Sequence, residues 1–299
     1  MVRRGASESA VESDASVTGS GDGGEDGPLL DCRTQLGESL GNGSGWAIAA
    51  YPEVGEATVY WQSEGSAGGD EESRWSKLEE EERAALNQAR KLQRARTRMR
   101  RYFVRNKLTR FDTWTYRCVA CQGDPCDCGR KAQPASRAEV KRHVNAAIRE
   151  LRDLVGEAFA YLYVIERGSK GTRRLHVHVA LPPWVAESAV GAAWRHGNVV
   201  AGEGGSGDSL RGRARAASSY MAKYLGKALE DDDEAWAHSY ERAQGFNVRV
   251  VSRSALPSLA TALDLVVQLL GVSRDGLRLS WSDEWADWFG PPTAAVRLA

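Results

Sequence analysis

RLHVHVAL, Arg174 to Leu181, sets two histidines one residue apart inside a run of strand-forming apolar residues. On a strand, side chains at i and i+2 share a face about 6–7 Å apart, so His176 and His178 point the same way. Val177, Val179 and Leu181 then take the opposite face, towards a core. The preceding run, AYLYVIE at 160–166, also has strand character, and GSKG at 168–171 makes the turn. The two runs predict an antiparallel hairpin. Leu162, Val164 and Glu166 share one face of it, which makes Glu166 a candidate third ligand beside the histidines. Two imidazoles and a carboxylate leave open positions for a substrate oxygen, a donor set suited to Mg2+, Mn2+ or Zn2+ as a Lewis acid. A pair of solvent-facing strand histidines is the alternative reading.

Forty residues on stands SSYMAKYLGKAL, 218–229. Tyr220 and Tyr224 are four residues apart, as are Lys223 and Lys227, so on a helix each pair stacks on its own face. Tyrosine is a poor nucleophile at neutral pH because its pKa is about 10, but neighbouring ammonium groups and a metal that polarises the target compensate. An amphipathic helix with half-buried packing tyrosines is the alternative.

The whole chain has 299 residues with 40 basic and 40 acidic side chains, so its net charge names no partner. Its distribution does. Residues 1–80 hold 16 acidic and 5 basic side chains, and the excess positive charge falls on the remainder. Arg83 to Arg117 contains 12 Lys and Arg against a single acid, Asp112. An acidic head before a basic body points to nucleic acid. Within the basic run, Arg98, Arg100, Arg101, Arg105, Lys107 and Arg110 are the candidates to meet phosphates, with a solvated helix face as the alternative. Tyr102, Trp114 and Tyr116 are candidates to stack on unpaired bases, against core packing for Trp114. No apolar stretch is long enough to cross a bilayer and no secretory leader is evident, which predicts an intracellular, cytoplasmic protein with no membrane partner.

Residues 1–44, rich in Gly, Ser, Asp and Glu, predict a disordered acidic tail. Residues 45–108 predict two short strands about a Pro/Gly turn, at 46–62, followed by a long helix from Glu71 to about Asn106. Residues 109–254 predict an α+β domain with an antiparallel sheet and flanking helices, in the order β-α-β-β-α. Its helices fall at about 136–155 and 214–230, with a Gly-rich loop at 197–212. Residues 255–299, with Trp281, Trp285 and Trp288, predict a small helix-and-loop appendage. Cys118, Cys121, Cys126 and Cys128 form C-x2-C-x4-C-x-C. Inside a cell such a quartet holds structural Zn2+ more often than disulfides; a redox pair or plain loop cysteines are the alternatives. Cys32 predicts a free thiol. His143 and His238 read as surface residues, and His196 as a weak candidate to support the metal ligands.

FDTWTY (111–116), HVHV (176–179) and YMAKYLGK (220–227), in that order, resemble the three motifs of the HUH endonuclease superfamily. The YxxKYxxK form is most similar to the two-tyrosine rolling-circle replication initiators of small single-stranded DNA phages and related plasmids. WRHG (194–197) also resembles that group. The resemblance covers about residues 95–255 and implies an HUH/RRM-like catalytic domain. It implies Mg2+ or Mn2+ on His176, His178 and Glu166 polarising the scissile phosphate of single-stranded or hairpin origin DNA. Tyr220 or Tyr224 would attack that phosphate, giving a 5′-phosphotyrosine and a free 3′-OH for a host polymerase. Lys223 and Lys227 would neutralise charge beside them. The turn before the histidines is longer than in such relatives, and the cysteine quartet has no common counterpart among them. No G-x-x-x-x-G-K-[ST] loop is present, so unwinding would fall to a host helicase. A relaxase or transposase of the same superfamily, or a non-catalytic zinc-containing DNA-binding protein, are the other readings.

Overall fold

The computed structural model describes residues 44–63, 78–117, 136–167, 175–203, 207–230, 240–284 and 291–298. The expected tail before Ser44, the cysteine quartet, His238, Trp285 and Trp288 lie outside them. The fold is α+β: among the described residues there are two five-stranded antiparallel sheets with helices against them.

The first sheet runs β8-β1-β2-β10-β9. Its strands are β1 (Gly45–Tyr51), β2 (Glu56–Gln62), β8 (Val251–Leu256), β9 (Leu277–Trp281) and β10 (Thr293–Leu298). Pro52 opens a short 3-10 turn that Gly55 closes at φ 62°, a left-handed conformation that a residue with a Cβ adopts at a cost. One face of the sheet buries Ile48, Ala50, Ala57, Val59, Ala294 and Val296 against α5 (Leu259–Leu270). The segment after residue 254, expected as a helix-and-loop appendage, therefore supplies two strands and a helix to the sheet that β1 and β2 begin. Short strands such as LRLSW and TAAVRL carry too little alternation to be read alone.

The second sheet runs β6-β3-β5-β4-β7. It contains β3 (Arg110–Trp114), β4 (Leu162–Arg167), β5 (Leu175–Leu181), β6 (Val199–Glu203) and β7 (Tyr240–Arg242). The hairpin read from the histidine run is β4 and β5. On one face Trp114, Tyr163, Ile165, Val177, Val179 and Leu181 pack against α2 (Arg137–Val155) and α3 (Glu187–Ala193). On the other, Phe111, Leu162, Val164 and Ala180 pack against α1 (Glu80–Asn106) and α4 (Leu210–Glu230). The Gly-rich stretch expected as a loop over 197–212 contains β6, which pairs with β3. Helix α3 is too short for its period to show in the sequence.

Helix α1 starts at Glu80 rather than Glu71 because Glu79 and Glu82 close a reciprocal capping box there. It ends at Lys107, left-handed at φ 55°. Its inner face carries Met99, Tyr102, Phe103 and Val104 into the core, while Arg100 and Arg101 reach Glu56 of the first sheet. Glu56 is 2% exposed. Arg100 Nε and Nη2 donate to its two oxygens at 3.1 and 2.9 Å, and Arg101 Nε donates at 3.0 Å. Burial alone would raise the Glu56 pKa, but the hydrogen bonds and charges of Arg100 and Arg101 overcome it and hold the group below its ordinary 4.5.

Glu56→Ala leaves two partly buried guanidiniums without their carboxylate and is expected to cost about 3 kcal/mol by chemical denaturation. A depressed carboxyl pKa stabilises the fold above the unfolded value of 4.5, and that contribution fades as pH falls below it. The melting temperature of the native protein should therefore drop more steeply below that pH than that of Glu56→Gln.

Candidate metal and tyrosine site

Register builds this site. On β5, His176 stands opposite Glu166 and His178 opposite Val164 of β4, while on the other side His178 stands opposite Thr113 of β3. Glu166 Oε2 lies 3.2 Å from His176 Nε2 and 2.9 Å from His178 Nε2. One potential ligand atom from each of the three residues falls within 4.8 Å of the others. Glu166 and His178 are buried and His176 is half-buried. Two imidazole nitrogens turned onto one carboxylate oxygen, with His176 open to solvent, suit a divalent cation that keeps positions free.

Thr113 Oγ1 is 3.2 Å from His178 Nδ1. With Nε2 turned to a cation, Nδ1 carries the hydrogen and donates it to Thr113, which fixes both tautomer and ring orientation. Phe111, two residues earlier on the same face, stacks on His178 at 5.3 Å between ring centroids and 20° between planes. The first motif FDTWTY thus has a physical role that reading residues in isolation missed. The available signal was the period of two that puts Phe111 and Thr113 on one face.

Helix α4 lays its tyrosines over this face. The Tyr224 ring sits 3.7 Å from that of His178, and Tyr220 meets the Phe111 ring edge-on at 4.9 Å. Tyr224 O–H donates to the Tyr220 hydroxyl oxygen at 2.7 Å. The two differ in setting: Tyr220 is 42% exposed, whereas Tyr224 is half-buried. Burial, then the hydrogen bond and charge of Tyr220, then the charge of Glu166 push the Tyr224 pKa well above the usual tyrosine value. Tyr224 accordingly keeps its proton and offers it to Tyr220. Lys223 Nζ lies 5.5 Å from the Tyr220 ring centroid. Lys227 belongs to α4, but its side chain falls outside the described residues.

The basic residues expected to meet phosphates divide. Arg100 and Arg101 are paired with Glu56, and Arg105 Nε reaches Glu53 at 2.6 Å. Arg110 is held by Asp112 at 2.9 Å and by the Val185 carbonyl at 2.5 Å. Arg98 also has partners within the protein, while Lys107 is exposed at the end of α1. The three candidate stacking rings, Tyr102, Trp114 and Tyr116, are all buried. Tyr102 donates its hydroxyl hydrogen to the Tyr161 carbonyl at 3.1 Å, and the tryptophan packs on Trp194.

The WRHG segment lies at the end of β3, on the face away from the histidine site. Trp194 Nε1 donates to the Thr115 carbonyl at 2.9 Å, and a Cβ on Gly197 would stand 2.0 Å from that same oxygen. His196 therefore does not support the metal ligands. It stacks on His143 at 3.8 Å, so His143 is not a plain surface residue either; its Nδ1 lies 3.3 Å from the Tyr116 hydroxyl.

Residues 109–229 match the family model for the replication-associated protein ORF2. The matched segment runs from β3 through the tyrosines of α4, and the similarity supports a replication-initiator role with DNA as partner. No curated protein and no solved structure matches the chain. No helix among the described residues is long and apolar enough to cross a membrane.

Thr113→Val removes the acceptor behind His178 at nearly constant volume. It is expected to weaken Mn2+ binding by about 10–100-fold, as loss of such an outer partner does, with little change in melting temperature. Calorimetric titration of the two proteins with Mn2+ checks it; equal affinities would remove Thr113 from the site.

Proposed function

We propose that the protein initiates rolling-circle replication by nicking and rejoining single-stranded or hairpin origin DNA through a phosphotyrosine. The observation that carries the reading is the placement of Tyr220 and Tyr224 directly over the Glu166–His176–His178 cluster. Mg2+ or Mn2+ held by those three residues would polarise the scissile phosphate and offset its charge.

The chain's own residues do the rest. The Tyr220 hydroxyl is exposed, and its oxygen accepts the Tyr224 hydrogen bond, so negative charge developing on it is stabilised where charge on Tyr224 would be opposed. Attack forms a Tyr220 O–P bond and breaks the P–O3′ bond. The phenol proton passes to solvent and the departing 3′-oxygen takes one up. The products are a 5′-phosphotyrosine and a 3′-OH that a host polymerase extends, behind a host helicase. Attack of a 3′-OH on the phosphotyrosine reverses the step and rejoins DNA. Lys223, beside Tyr220, supplies positive charge to the phosphate, and Lys227, a turn further along α4, is assigned the same role. Tyr224 cuts the regenerated origin while Tyr220 still holds the first strand, once the departure of the Tyr220 proton has changed the bond between them.

His176→Ala with His178→Ala should abolish nicking while leaving DNA binding in place. Tyr220→Phe should remove most of the first cut. Tyr224→Phe should slow it without abolishing it, because the hydrogen bond to Tyr220 is lost but the nucleophile remains. The double Phe variant should form no adduct. Peptide mapping of the DNA-linked protein with Mn2+ present checks this assignment, and an adduct in the double variant would overturn it.

The quartet Cys118, Cys121, Cys126 and Cys128 is assigned a structural Zn2+ on its spacing and on thiolate chemistry. Roughly one zinc per chain is expected, lost together with stability in Cys118→Ser/Cys121→Ser. Elemental analysis of protein purified without chelators tests it, and a zinc-free protein would overturn it.

A further inference from the structure

We propose that arginines gathered around Glu56, from both sheets and two helices, form a second binding face that holds the phosphate backbone of DNA away from the cleavage site. The inference rests on the reading of the protein as one that acts on DNA. Glu56 is occupied by Arg100 and Arg101, yet further guanidiniums crowd it. Arg215 Nη2, from α4, stands 4.0 Å from Glu56 Oε1, beyond hydrogen-bond distance, and this buried nitrogen has no hydrogen-bond partner among the described residues. Arg211, one turn earlier on α4, brings Nη1 against Gly55, 2.6 Å from where a Cβ would stand. On the sheet, Arg297 of β10 is directly opposite Glu56, and Arg278 of β9 is directly opposite Arg297.

Residues directly opposite in adjacent strands point to the same face, so Arg297 and Arg278 form a like-charge pair, an arrangement that weakens a sheet. Among the described residues Glu56 is the carboxylate facing this group, and a single negative charge cannot balance it. Burial and the charges of neighbouring arginines both depress the Arg215 and Arg297 pKa values, against the opposing pull of Glu56. Arg278 and Arg297 are exposed, and Arg211 and Arg215 are half-buried, so an incoming anion can reach them.

Guanidinium forks match phosphate oxygens in pairs, and a phosphate among them would relieve repulsion that the fold now tolerates. The anion favoured is the DNA backbone because α4 carries both this group and the tyrosines. Arg215 lies about 7.5 Å along the helix axis from Tyr220. At about 3.4 Å per nucleotide of duplex, two or three nucleotides span that distance, and the two groups occupy different faces of the helix. A strand cut at Tyr220 would continue around α4 onto the sheet.

The test compares Arg211→Gln/Arg297→Gln with the native protein and with Arg142→Gln/Arg149→Gln, whose exposed arginines lie on α2. Fluorescence anisotropy of labelled single-stranded and hairpin DNA is measured across a salt series. For the Arg211/Arg297 variant the slope of log K against log salt should fall by about 1.4 on single strands and about 1.8 on duplex, the yield of two lost phosphate contacts. Affinity at physiological salt should weaken roughly tenfold. Its melting temperature should hold or rise, since a repulsion has been removed. The α2 variant should keep the native slope. An unchanged slope in the Arg211/Arg297 variant, with or without a lower melting temperature, would overturn the proposal and leave the cluster as a brace between the sheets. Equal losses in both variants would overturn it too, as diffuse charge. A native protein that binds with the expected slope but never nicks would sink the cleavage reading and leave this one standing.

Discussion

The antiparallel register of β3, β5 and β4 is the constraint from which the site follows. Thr113, His178 and Val164 lie in one line across the three strands, with Glu166 and His176 paired one step along. Because side chains alternate with a period of two, a slip of one residue in either pairing would send the histidines into the core and Val177 and Val179 to the opposite face. That slip is blocked by apolar residues on both faces. Trp114, Ile165, Val177 and Val179 demand the side under α2, while Phe111, Leu162 and Val164 demand the side under α1 and α4. The metal donors are thus held by hydrophobic burial several residues away. Their contacts with each other need contribute little to the fold.

The same sheet face must also admit polar groups, and the burial pattern shows how. Phe111 covers the flat side of His178, Tyr224 lies against it, and Thr113 meets its inner nitrogen. Only the edge bearing Nε2 and the Glu166 carboxylate remains for a ligand. Each aromatic neighbour excludes water from the imidazole without competing for its nitrogen, so the cluster is partly dry yet open at His176. Helix α4 is fixed over this surface by Ala214, Ala217 and Met221, small or unbranched side chains that allow close approach. A bulkier inner face would lift the tyrosines off the histidines.

What the sequence conveyed follows from how local each signal is. The β4–β5 hairpin, helix α2 and the tyrosine helix were legible because each carries its own period, and the ligand trio was legible because two of its members sit on one strand. Ser136 and Gly156 bound α2 as any short capping pattern would. The role of Thr113 was not legible, since it depends on pairing between segments about sixty residues apart. The first sheet was missed for the same reason: β1 and β2 find their partners about two hundred residues later, in strands too short to announce themselves. The run from Arg98 to Arg110 was misleading in a different way. Charge composition is visible in a sequence, but whether Arg100 meets a phosphate or Glu56 depends on a carboxylate 44 residues earlier.

The tyrosine pair shows how one helix can give two chemically identical groups different tasks. In isolation, residues at i and i+4 would be equivalent. The sheet beneath breaks the symmetry, since Tyr224 lies against His178 and feels the Glu166 charge while Tyr220 extends past Phe111 into solvent. The hydrogen bond between them acquires a direction from that difference: the buried hydroxyl donates and the exposed one accepts. In the proposed mechanism a cation at Glu166 would cancel part of the charge that holds the Tyr224 proton, so the asymmetry would be strongest before the ion arrives and weaker afterwards. Esterification of Tyr220 then replaces its acceptor oxygen with a much weaker one and leaves Tyr224 O–H without its partner. The second tyrosine becomes easier to ionise only after the first has reacted, which orders the two cuts through one hydrogen bond and without any movement of the backbone.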